Sequence, residues 1–230
     1  MMSDGDKVSV LMSCYNSQKT LKNSIISVLA QTYKNFEFLI IDDNSSDDTL
    51  RILQEFETID KRIKVYKNSE NIGLTKSLNI LIDKSDGKYI ARQDDDDLSK
   101  PERLDVQYNF LKNSTFRCCT SRAIVKNSNK KIPRFSHLLP NQLVLKYKNP
   151  FIHGTLFVEK DVITDIGGYS EEFKYAQDYK LFSDMILKNY KVKILDNLLY
   201  ELNMENNISS NKKSEQEFYA NHVKKGTIPT

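Results

Sequence analysis

Apolar and polar residues alternate in blocks along the first hundred positions of the chain, and the blocks show two different periods. Four short apolar runs rich in β-forming residues predict strands: Val8–Cys14, Phe36–Ile41, Ile63–Tyr66 and Lys88–Ala91. Between these runs, apolar residues recur every three or four positions, which predicts helices over Thr20–Gln31, from Asp47 onward and over Leu74–Leu81. Because strand and helix alternate, we predict an α/β protein with a mostly parallel sheet and helices on both faces.

The second half of the chain shows the same patterns less regularly. They predict a helix around Leu104–Leu111, a strand over Cys118–Val125, another strand over Phe151–Val158 and a helix around Leu181–Ile186. From Met204 onward Asn, Ser, Lys and Glu dominate, and we expect no regular structure in this polar tail.

Composition and charge narrow the class of protein. The 230 residues are 39% hydrophobic, which is enough for a packed core. The formal charge of +3, from 34 basic and 31 acidic residues, is too balanced for a protein that binds nucleic acid. The three cysteines lack metal-ligand spacing and are expected to be reduced, buried thiols: Cys14, Cys118 and Cys119.

The ends of the chain bear on its location. The sequence shows no charged-then-apolar leader and no apolar stretch long enough to cross a bilayer, so we expect a cytoplasmic protein. Four lysines near the end offer either a peripheral contact with the anionic surface of the inner membrane or a solvated tail: Lys212, Lys213, Lys224 and Lys225.

Two acidic clusters follow predicted strands and are the first candidates for chemistry. Asp42 and Asp43 end the second strand, and four consecutive aspartates, Asp94–Asp97, follow the fourth. Carboxylates repel each other at this density, so such a cluster is usually neutralised by a cation, a phosphate-bound metal or solvent. Open α/β sheets bind ligands at the carboxyl ends of their strands, so both clusters are expected to face one crevice. The residues that follow, Ser99–Glu102, match a capping box and predict the start of the next helix.

Four segments, in this order, resemble those of glycosyltransferase family 2, the nucleotide-sugar-dependent enzymes with the GT-A fold: Val8–Asn16, Ile41–Asp47, Asn71–Leu74 and Ala91–Asp97. The resemblance implies a nucleotide-sugar-binding half over residues 1–100, a half over 101–203 that binds the acceptor and carries the base, and a tail over 204–230. It also implies inverting transfer of a hexose-type sugar from a UDP-sugar to a hydroxyl of a bacterial surface glycan, with a glycan or lipid-linked glycan as acceptor.

The resemblance assigns roles residue by residue. The nucleotide and donor sugar would contact Ser13, Tyr15, Asn16, Asp43, Asn71, Gly73, Arg92, Asp94 and Asp95. Asp96 would bind Mn²⁺ or Mg²⁺, although a shift of one residue within the four identical aspartates stays open. Asp178 would be the catalytic base that takes the proton from the acceptor hydroxyl. His153 and Gln177 would contact the acceptor or the diphosphate.

Several alternatives remain open at the level of the sequence. Asp43 and Asp178 are also suited to capping helices, and His153 to a structural hydrogen bond. The chain departs from the family at Gln177, where Glu is usual, and near Tyr200–Ser209, where a histidine metal ligand is usual and this chain has Asn203, Glu205 and Asn206.

Two other classes of protein also place acidic side chains at one edge of an α/β sheet, and both are alternatives to a glycosyltransferase. A sugar nucleotidyltransferase would need a Gly-rich phosphate loop after the first strand, which this chain lacks. A receiver-like signalling domain would leave the Asp94–Asp97 cluster without a role.

Overall fold

The computed structural model describes residues 5–204 and 212–229, which form one mixed sheet with helices on both faces. The strands are β1 Val8–Cys14, β2 Phe36–Asp42, β3 Ile63–Lys67, β4 Tyr89–Arg92, β5 Leu98–Ser99, β6 Cys118–Val125, β7 Lys131–Ile132, β8 Phe157–Glu159 and β9 Val192–Leu202. The helices are α1 Leu21–Leu29, α2 Thr49–Ile59, α3 Leu74–Lys84, α4 Arg103–Lys112, α5 Asn141–Leu145, α6 Lys160–Asp165, α7 Gln177–Leu187 and α8 Lys213–Lys225. Single turns of 3-10 helix lie at Ser136–Leu138 and His153–Thr155. The predicted α/β class and the strand-helix alternation of the first hundred residues are confirmed.

The sheet has a parallel half and a mixed half. Its strand order is β3-β2-β1-β4-β8-β6-β9-β5, with β7 paired to β6. The first four strands in this order run parallel, β8 runs antiparallel to both neighbours, and β9 runs parallel to β6 and antiparallel to β5. The parallel half therefore presents the carboxyl ends of four neighbouring strands along one edge.

Side chains of β1 alternate between two cores, as expected for a strand covered on both faces. Val10 and Met12 pack in the core that contains the buried face of α1, whereas Leu11 packs in the core that contains Leu78 of α3. Cys14, Cys118 and Cys119 are buried and form no disulfide, which confirms the prediction of buried thiols.

The capping box predicted over Ser99–Glu102 is wrong. Leu98 and Ser99 form β5 and pair with β9, so the backbone of Ser99 belongs to the sheet. The Ser99 hydroxyl donates to Gln93 Oε1 (2.6 Å) and accepts from Arg103 Nη1 (2.8 Å), and α4 begins only at Arg103.

The strand predicted over Phe151–Val158 is also only partly correct. A 3-10 turn occupies His153–Thr155, closed by a hydrogen bond from the Thr155 hydroxyl to the Ile152 carbonyl oxygen (2.8 Å), and β8 begins at Phe157.

The tail was expected to lack regular structure, but residues 213–225 form α8. This helix buries Val223 and packs Tyr219 edge-on against Phe173. Its sequence is mostly polar, so the few apolar contacts that hold it were not visible as a helical stripe. Within residues 5–204 and 212–229, no helix combines the length and apolar character needed to cross a membrane.

Candidate active site

The loops that follow β1, β2 and β4 meet at the carboxyl edge of the parallel half. Cys14 pairs in register with Asp42, and Leu11 pairs with Arg92, so β2 and β4 end on either side of β1. The Asn16 side chain accepts a hydrogen bond from the backbone N–H of Ser46 (2.9 Å), which joins the first two loops. Both acidic clusters therefore lie along one edge, as predicted.

A second contact ties the first loop to the aspartate run. The Ser17 hydroxyl donates to the carboxylate of Asp95. Tyr15, which precedes this contact, is 53% exposed, and Ser13 is partly exposed at the end of β1. The β1 loop thus has a supporting part, Asn16 and Ser17, and an open part that a nucleoside can reach.

Asp43 is almost completely buried and organises the loop before α3. Its carboxylate accepts hydrogen bonds from Asn68 Nδ2 (2.7 Å), from the backbone N–H of Ile72 (3.0 Å) and from that of Gly73 (2.8 Å). Gly73 has φ +87°, a left-handed conformation that favours glycine. Asn71 is exposed in the same loop. A carboxylate offers about four acceptor positions, so three protein donors leave room for one further donor.

Arg92 and Asp94 form the base of the aspartate run. The Arg92 guanidinium is buried and donates to Asp94 Oδ1 (2.7 Å) and to the Leu11 carbonyl oxygen (3.2 Å). The backbone N–H of Asp94 donates to Tyr200 Oη (3.0 Å). Arg92 therefore supports the site from beneath, and direct contact of this side chain with a nucleotide stays a prediction.

The remaining aspartates have different surroundings. Asp97 is buried and accepts a hydrogen bond from the backbone N–H of Asn203 (2.7 Å). Burial, followed by the charge of Asp94, raises the pKa of Asp96 to about 7; burial also raises the pKa of Asp95 to about 6. Among the described residues, no Lys or Arg forms an ion pair with Asp96, which leaves its carboxylate available to a cation.

The chemistry of this cluster fits a divalent cation that shares its ligands with a substrate. Crowded carboxylates with raised pKa values gain from a neighbouring positive charge, and Mg²⁺ commonly takes one or two carboxylates together with substrate phosphates. In residues 5–204 and 212–229, no three His, Cys, Asp or Glu side chains gather into a complete ligand set. Of the residues considered as a further ligand, Asn203 lies beside Asp97, and Glu205 and Asn206 lie outside the described residues.

Asp178 lies in the first turn of α7 and is partly exposed. Its Oδ2 accepts a hydrogen bond from Asn149 Nδ2 (2.8 Å). Burial raises the pKa of Asp178; the Tyr179 N–H and Asn149 oppose this shift, and the negative charge of Asp94 adds to it. Asp178 therefore lies in the same electrostatic environment as the aspartate run. Gln177 is partly exposed beside it.

His153 lies near the aspartate run and contacts Tyr169. Its Nε2 lies 2.7 Å from Tyr169 Oη. Burial, together with the nearby Arg92 guanidinium, lowers the pKa of His153 to about 3, so the ring is neutral at physiological pH. A neutral imidazole can donate or accept one hydrogen bond to a ligand but supplies no charge to a diphosphate.

Two supporting residues were not identified from the sequence. Tyr200 of β9 lies under Asp94, and a Cβ on Gly154 would lie 2.5 Å from Asp94 Oδ2 and 2.5 Å from Tyr200 Oη. Gly154 is therefore required for the close approach of its loop to the aspartates. A lone tyrosine in a strand carries no signal of such a role, whereas a glycine next to a candidate histidine could have suggested close backbone packing.

A groove of about 400 Å³ opens beside Asn149. Its walls are the segments 132–136 and 148–152, which include Arg134, Phe135, Lys148 and Phe151. Asn149, which lines this groove, also donates to Asp178, so a single side chain connects the groove with the candidate base.

Comparison with protein families identifies the class. The model for glycosyl transferase family 2 matches residues 9–169, so the chain belongs to this family. That match includes the aspartate run and His153 and ends before Asp178. Membership favours the glycosyltransferase interpretation over the nucleotidyltransferase and receiver alternatives.

Individual relatives agree with this class. The chain is 38% identical to the putative glycosyltransferase EpsE of Bacillus subtilis over 171 residues, which cover 73% of this chain and 62% of EpsE, so the chain spans less than two thirds of that relative. It is 32% identical to the UDP-Glc:alpha-D-GlcNAc-diphosphoundecaprenol beta-1,3-glucosyltransferase WfgD of Escherichia coli over 184 residues, which cover 79% of this chain and 70% of WfgD. The mannosyltransferase PcManGT of Pyrobaculum calidifontis, solved with GDP-Man and Mn²⁺, has a TM-score of 0.79 at 16% identity and covers 99% of this chain and 67% of PcManGT. These similarities confirm the GT-A fold.

Proposed function

We propose that this protein transfers a hexose-type sugar from a UDP-sugar to a hydroxyl of a bacterial surface glycan, with inversion at the anomeric carbon. The proposal is supported by the position of Asp43 and Asp96 in loops at one edge of the sheet. The charge of Asp94 also raises the pKa of both Asp96 and Asp178. The names of the relatives support a UDP-sugar and a lipid-linked glycan acceptor, because WfgD is described as acting on both. A cytoplasmic location is part of the same proposal.

The donor would be held by the loops after β1, β2 and β4. Tyr15 and Ser13 offer an aromatic face and a hydroxyl to the base and ribose, and the remaining acceptor position of Asp43 suits the N–H of uracil. Asn71 and Gly73 lie in the loop that Asp43 fixes. Asp94 and Asp95 would contact the ribose and the donor sugar.

Asp96 would hold Mn²⁺ or Mg²⁺ against the diphosphate of the donor. When bound, such a cation stabilises the negative charge that develops on the leaving diphosphate. The Mn²⁺ in PcManGT supports this part of the proposal, although that protein was solved with a guanosine nucleotide.

Asp178 performs the proton transfer. As the acceptor oxygen forms its bond to the anomeric carbon, the acceptor O–H proton moves to the carboxylate of Asp178, and the bond from that carbon to the diphosphate oxygen breaks with its electron pair leaving on UDP. Asn149 donates to Oδ2 and so helps to fix the orientation of the carboxylate. A raised pKa makes this carboxylate a stronger base than an exposed aspartate.

The first test replaces Asp178 with Asn and measures sugar transfer and nucleotide binding separately. We expect the transfer rate to fall by at least about 100-fold while UDP still raises Tm, because the base contributes to catalysis and not to donor affinity. Asp184→Asn, the same change two turns later on α7, is the matched control and is expected to keep its rate. Wild-type transfer by Asp178→Asn would remove Asp178 from this role.

The second test compares the Tm of the protein with UDP and GDP, each with and without Mn²⁺. We expect UDP to raise Tm more than GDP, and Mn²⁺ to enlarge the shift. Asp96→Asn should lose the effect of Mn²⁺ and keep part of the effect of UDP alone. A larger shift with GDP would change the donor class and leave the fold and base unaffected.

A further inference from the structure

The middle of the chain carries only one sign of charge. From Val106 to Val158 there is no Asp or Glu, while nine basic residues occur there: Lys112, Arg117, Arg122, Lys126, Lys130, Lys131, Arg134, Lys146 and Lys148. The whole chain has a formal charge of +3, so the rest of the sequence is net negative. The positive charge is therefore concentrated in one stretch of the sequence, although Arg117 pairs with Glu159 and Asp161 just beyond it.

The same part exposes apolar side chains. Of the twelve large apolar residues that are exposed among the described residues, five fall between 135 and 147: Phe135, Leu138, Leu139, Leu143 and Tyr147. Their exposed fractions range from 55% to 77%. Single exposed apolar residues are common on soluble proteins, but a group of this density marks an interaction surface. We refer to the exposed residues of the segment 130–148 as the docking face.

The docking face is held in a fixed position. Val144 and Leu145 are buried beneath it, and the Tyr179 hydroxyl donates to the Leu145 carbonyl oxygen. Hydrogen bonds from the backbone N–H groups of Tyr147 and Lys148 to the Val144 carbonyl oxygen continue the turn of α5. Leu143, Lys146 and Tyr147 therefore share the outer side of this turn.

One contact between a histidine and a carboxylate lies at the margin of the docking face. His137 Nε2 is 3.1 Å from Asp196 Oδ1, and Asp196 itself is largely exposed. This carboxylate reduces the positive charge locally but leaves Lys130, Lys131 and Lys146 exposed and without an ion pair to the described residues.

We propose that the docking face binds the surface of a membrane that contains anionic lipids. A segment that exposes both basic and apolar side chains matches such a surface, since the ammonium groups meet lipid phosphates while Leu and Tyr side chains enter the boundary between headgroups and acyl chains. This surface is different from the lysines of the C-terminal tail.

The docking face adjoins the groove beside Asn149, and this position indicates a function for the membrane contact. Arg134, Phe135 and Lys148 belong both to this segment and to the wall of the groove beside Asn149. A molecule anchored in the membrane could therefore pass its glycan along the groove to Asp178. This purpose rests on the proposed transfer to a lipid-linked acceptor, whereas membrane binding itself does not.

Co-sedimentation with lipid vesicles tests the proposal on the full chain. Vesicles of phosphatidylcholine are compared with vesicles in which about one third of the lipid is phosphatidylglycerol. We expect at least tenfold stronger partition to the anionic vesicles, weakening as salt is added. Lys130→Glu with Lys146→Glu, and separately Leu138→Ser with Leu143→Ser, should each lower this partition by about tenfold.

Matched controls make the same chemical changes elsewhere. Lys224→Glu with Lys225→Glu reverses two exposed charges of α8, and Ile59→Ser with Leu187→Ser removes two apolar side chains that are at least 74% exposed. Both controls should bind as the wild type does. Equal loss in the controls, or no preference of the wild type for anionic vesicles, would overturn the proposal. A dimer in solution that Leu138→Ser with Leu143→Ser disperses, without vesicle binding, would instead identify the face as a contact between copies of the chain.

Activity separates this inference from the proposed function. With a water-soluble glycan acceptor, the docking-face variants should retain wild-type turnover, because the altered residues lie outside the groove. Vesicle binding without any sugar transfer would leave the docking face supported and the proposed function wrong. Transfer without vesicle binding would give the opposite result.

Discussion

The neighbours of Asp178, the proposed base, determine the pKa of its carboxyl. Asn149 donates to one carboxylate oxygen, Tyr179 contributes a backbone N–H, and burial opposes ionisation. The balance between these effects sets the pH at which Asp178 becomes a base. A change that alters the balance without removing Asp178 therefore tests its role more finely than deletion of the carboxylate.

We predict that Asn149→Asp moves the acidic limb of the pH–rate profile to higher pH. The variant keeps the acceptor for the Phe151 N–H but loses the donor to Asp178 and adds a negative charge beside it. Both changes raise the pKa of Asp178, so more of the base is protonated at a given pH, and a shift of about one unit or more is expected. The measurement is kcat as a function of pH with a saturating UDP-sugar.

Gln142→Glu is the control for this change, since it adds the same charge on an exposed position of α5. It should leave the profile in place. If Asn149→Asp lowered kcat equally at every pH, Asn149 would act on acceptor position and not on the ionisation of Asp178.

A second residue-scale prediction concerns Gly154. Gly154→Ala would place a Cβ 2.5 Å from both Asp94 Oδ2 and Tyr200 Oη, so the loop or the aspartate must move. We expect a loss of about 1–3 kcal/mol in the free energy of unfolding and a larger loss of the Mn²⁺-dependent rise in Tm with UDP. Gly87→Ala introduces a similar clash with Ser9 at the other edge of the sheet. This control should lose stability but keep its response to UDP and Mn²⁺.

At the scale of elements, α8 contributes to the site by fixing the start of α7. Ala176, just before α7, has φ +52°, which is unfavourable for a residue with a Cβ. Its backbone N–H donates to Gln216 Oε1 of α8 (3.1 Å). A contact between two helices thus holds a strained residue two positions from Asp178.

We predict that Gln216→Ala lowers kcat several-fold and leaves the KM for UDP-sugar unchanged, because α8 acts on the position of the proposed base, Asp178, and not on the donor loops. Stability should fall by only about 1 kcal/mol, the value of one hydrogen bond. Glu217→Ala, on an exposed position of the same helix, is the control. An unchanged kcat in Gln216→Ala would show that α7 holds its first turn without help from α8.

The elements that the sequence predicted well are those whose apolar pattern alone decides their structure. The runs that became β1 and β2 are mostly apolar because both faces of a parallel sheet are covered. Elements decided by partners far along the chain were missed or misplaced. Ser99 entered β5 because β9 pairs with it, and α8 forms because Phe173 and Tyr175, far earlier in the chain, supply apolar contacts to it.

At the scale of the whole molecule, the proposed active site lies at the carboxyl edge of the sheet, and a cluster of stabilising contacts around Glu37 lies at the amino edge. Asp43 follows β2 and Asp96 follows β4, and both strands run parallel to β1. Because parallel strands end at the same edge of a sheet, the sequence alone predicted that these two residues lie at one edge. The approach of Asp178, Tyr200 and Gly154 to the same place depends on how β8, β9 and α7 pack, which no local pattern encodes. For that reason the sequence did not predict how these three residues are arranged, although the resemblance to a family indicated Asp178 as the candidate base.

Glu37 forms a cluster of contacts at the amino edge of the sheet. Its Oε1 accepts from the Ser9 hydroxyl (2.7 Å) and the Asp86 N–H (2.8 Å), and its Oε2 accepts from Lys7 Nζ (3.0 Å) and Lys64 Nζ (2.9 Å). Burial alone would raise the pKa of this carboxyl, but the four donors together lower it to about 2. The carboxylate thus joins β1, β2, β3 and the segment before β4.

We predict that Glu37→Gln destabilises the protein at neutral pH and leaves UDP binding unchanged. The pKa of Glu37 is lower in the folded protein than its ordinary value of 4.5, so its contribution is present above pH 4.5 and is lost as pH falls through about 2. At pH 7 the loss in unfolding free energy should reach up to about 3 kcal/mol, reduced by solvent screening at the two lysines. Denaturant unfolding of both proteins between pH 7 and pH 2 measures it, and the difference should shrink towards the acidic end. Glu217→Gln is the control, and a difference for Glu37→Gln that stayed constant with pH would show that shape, not charge, holds this edge together.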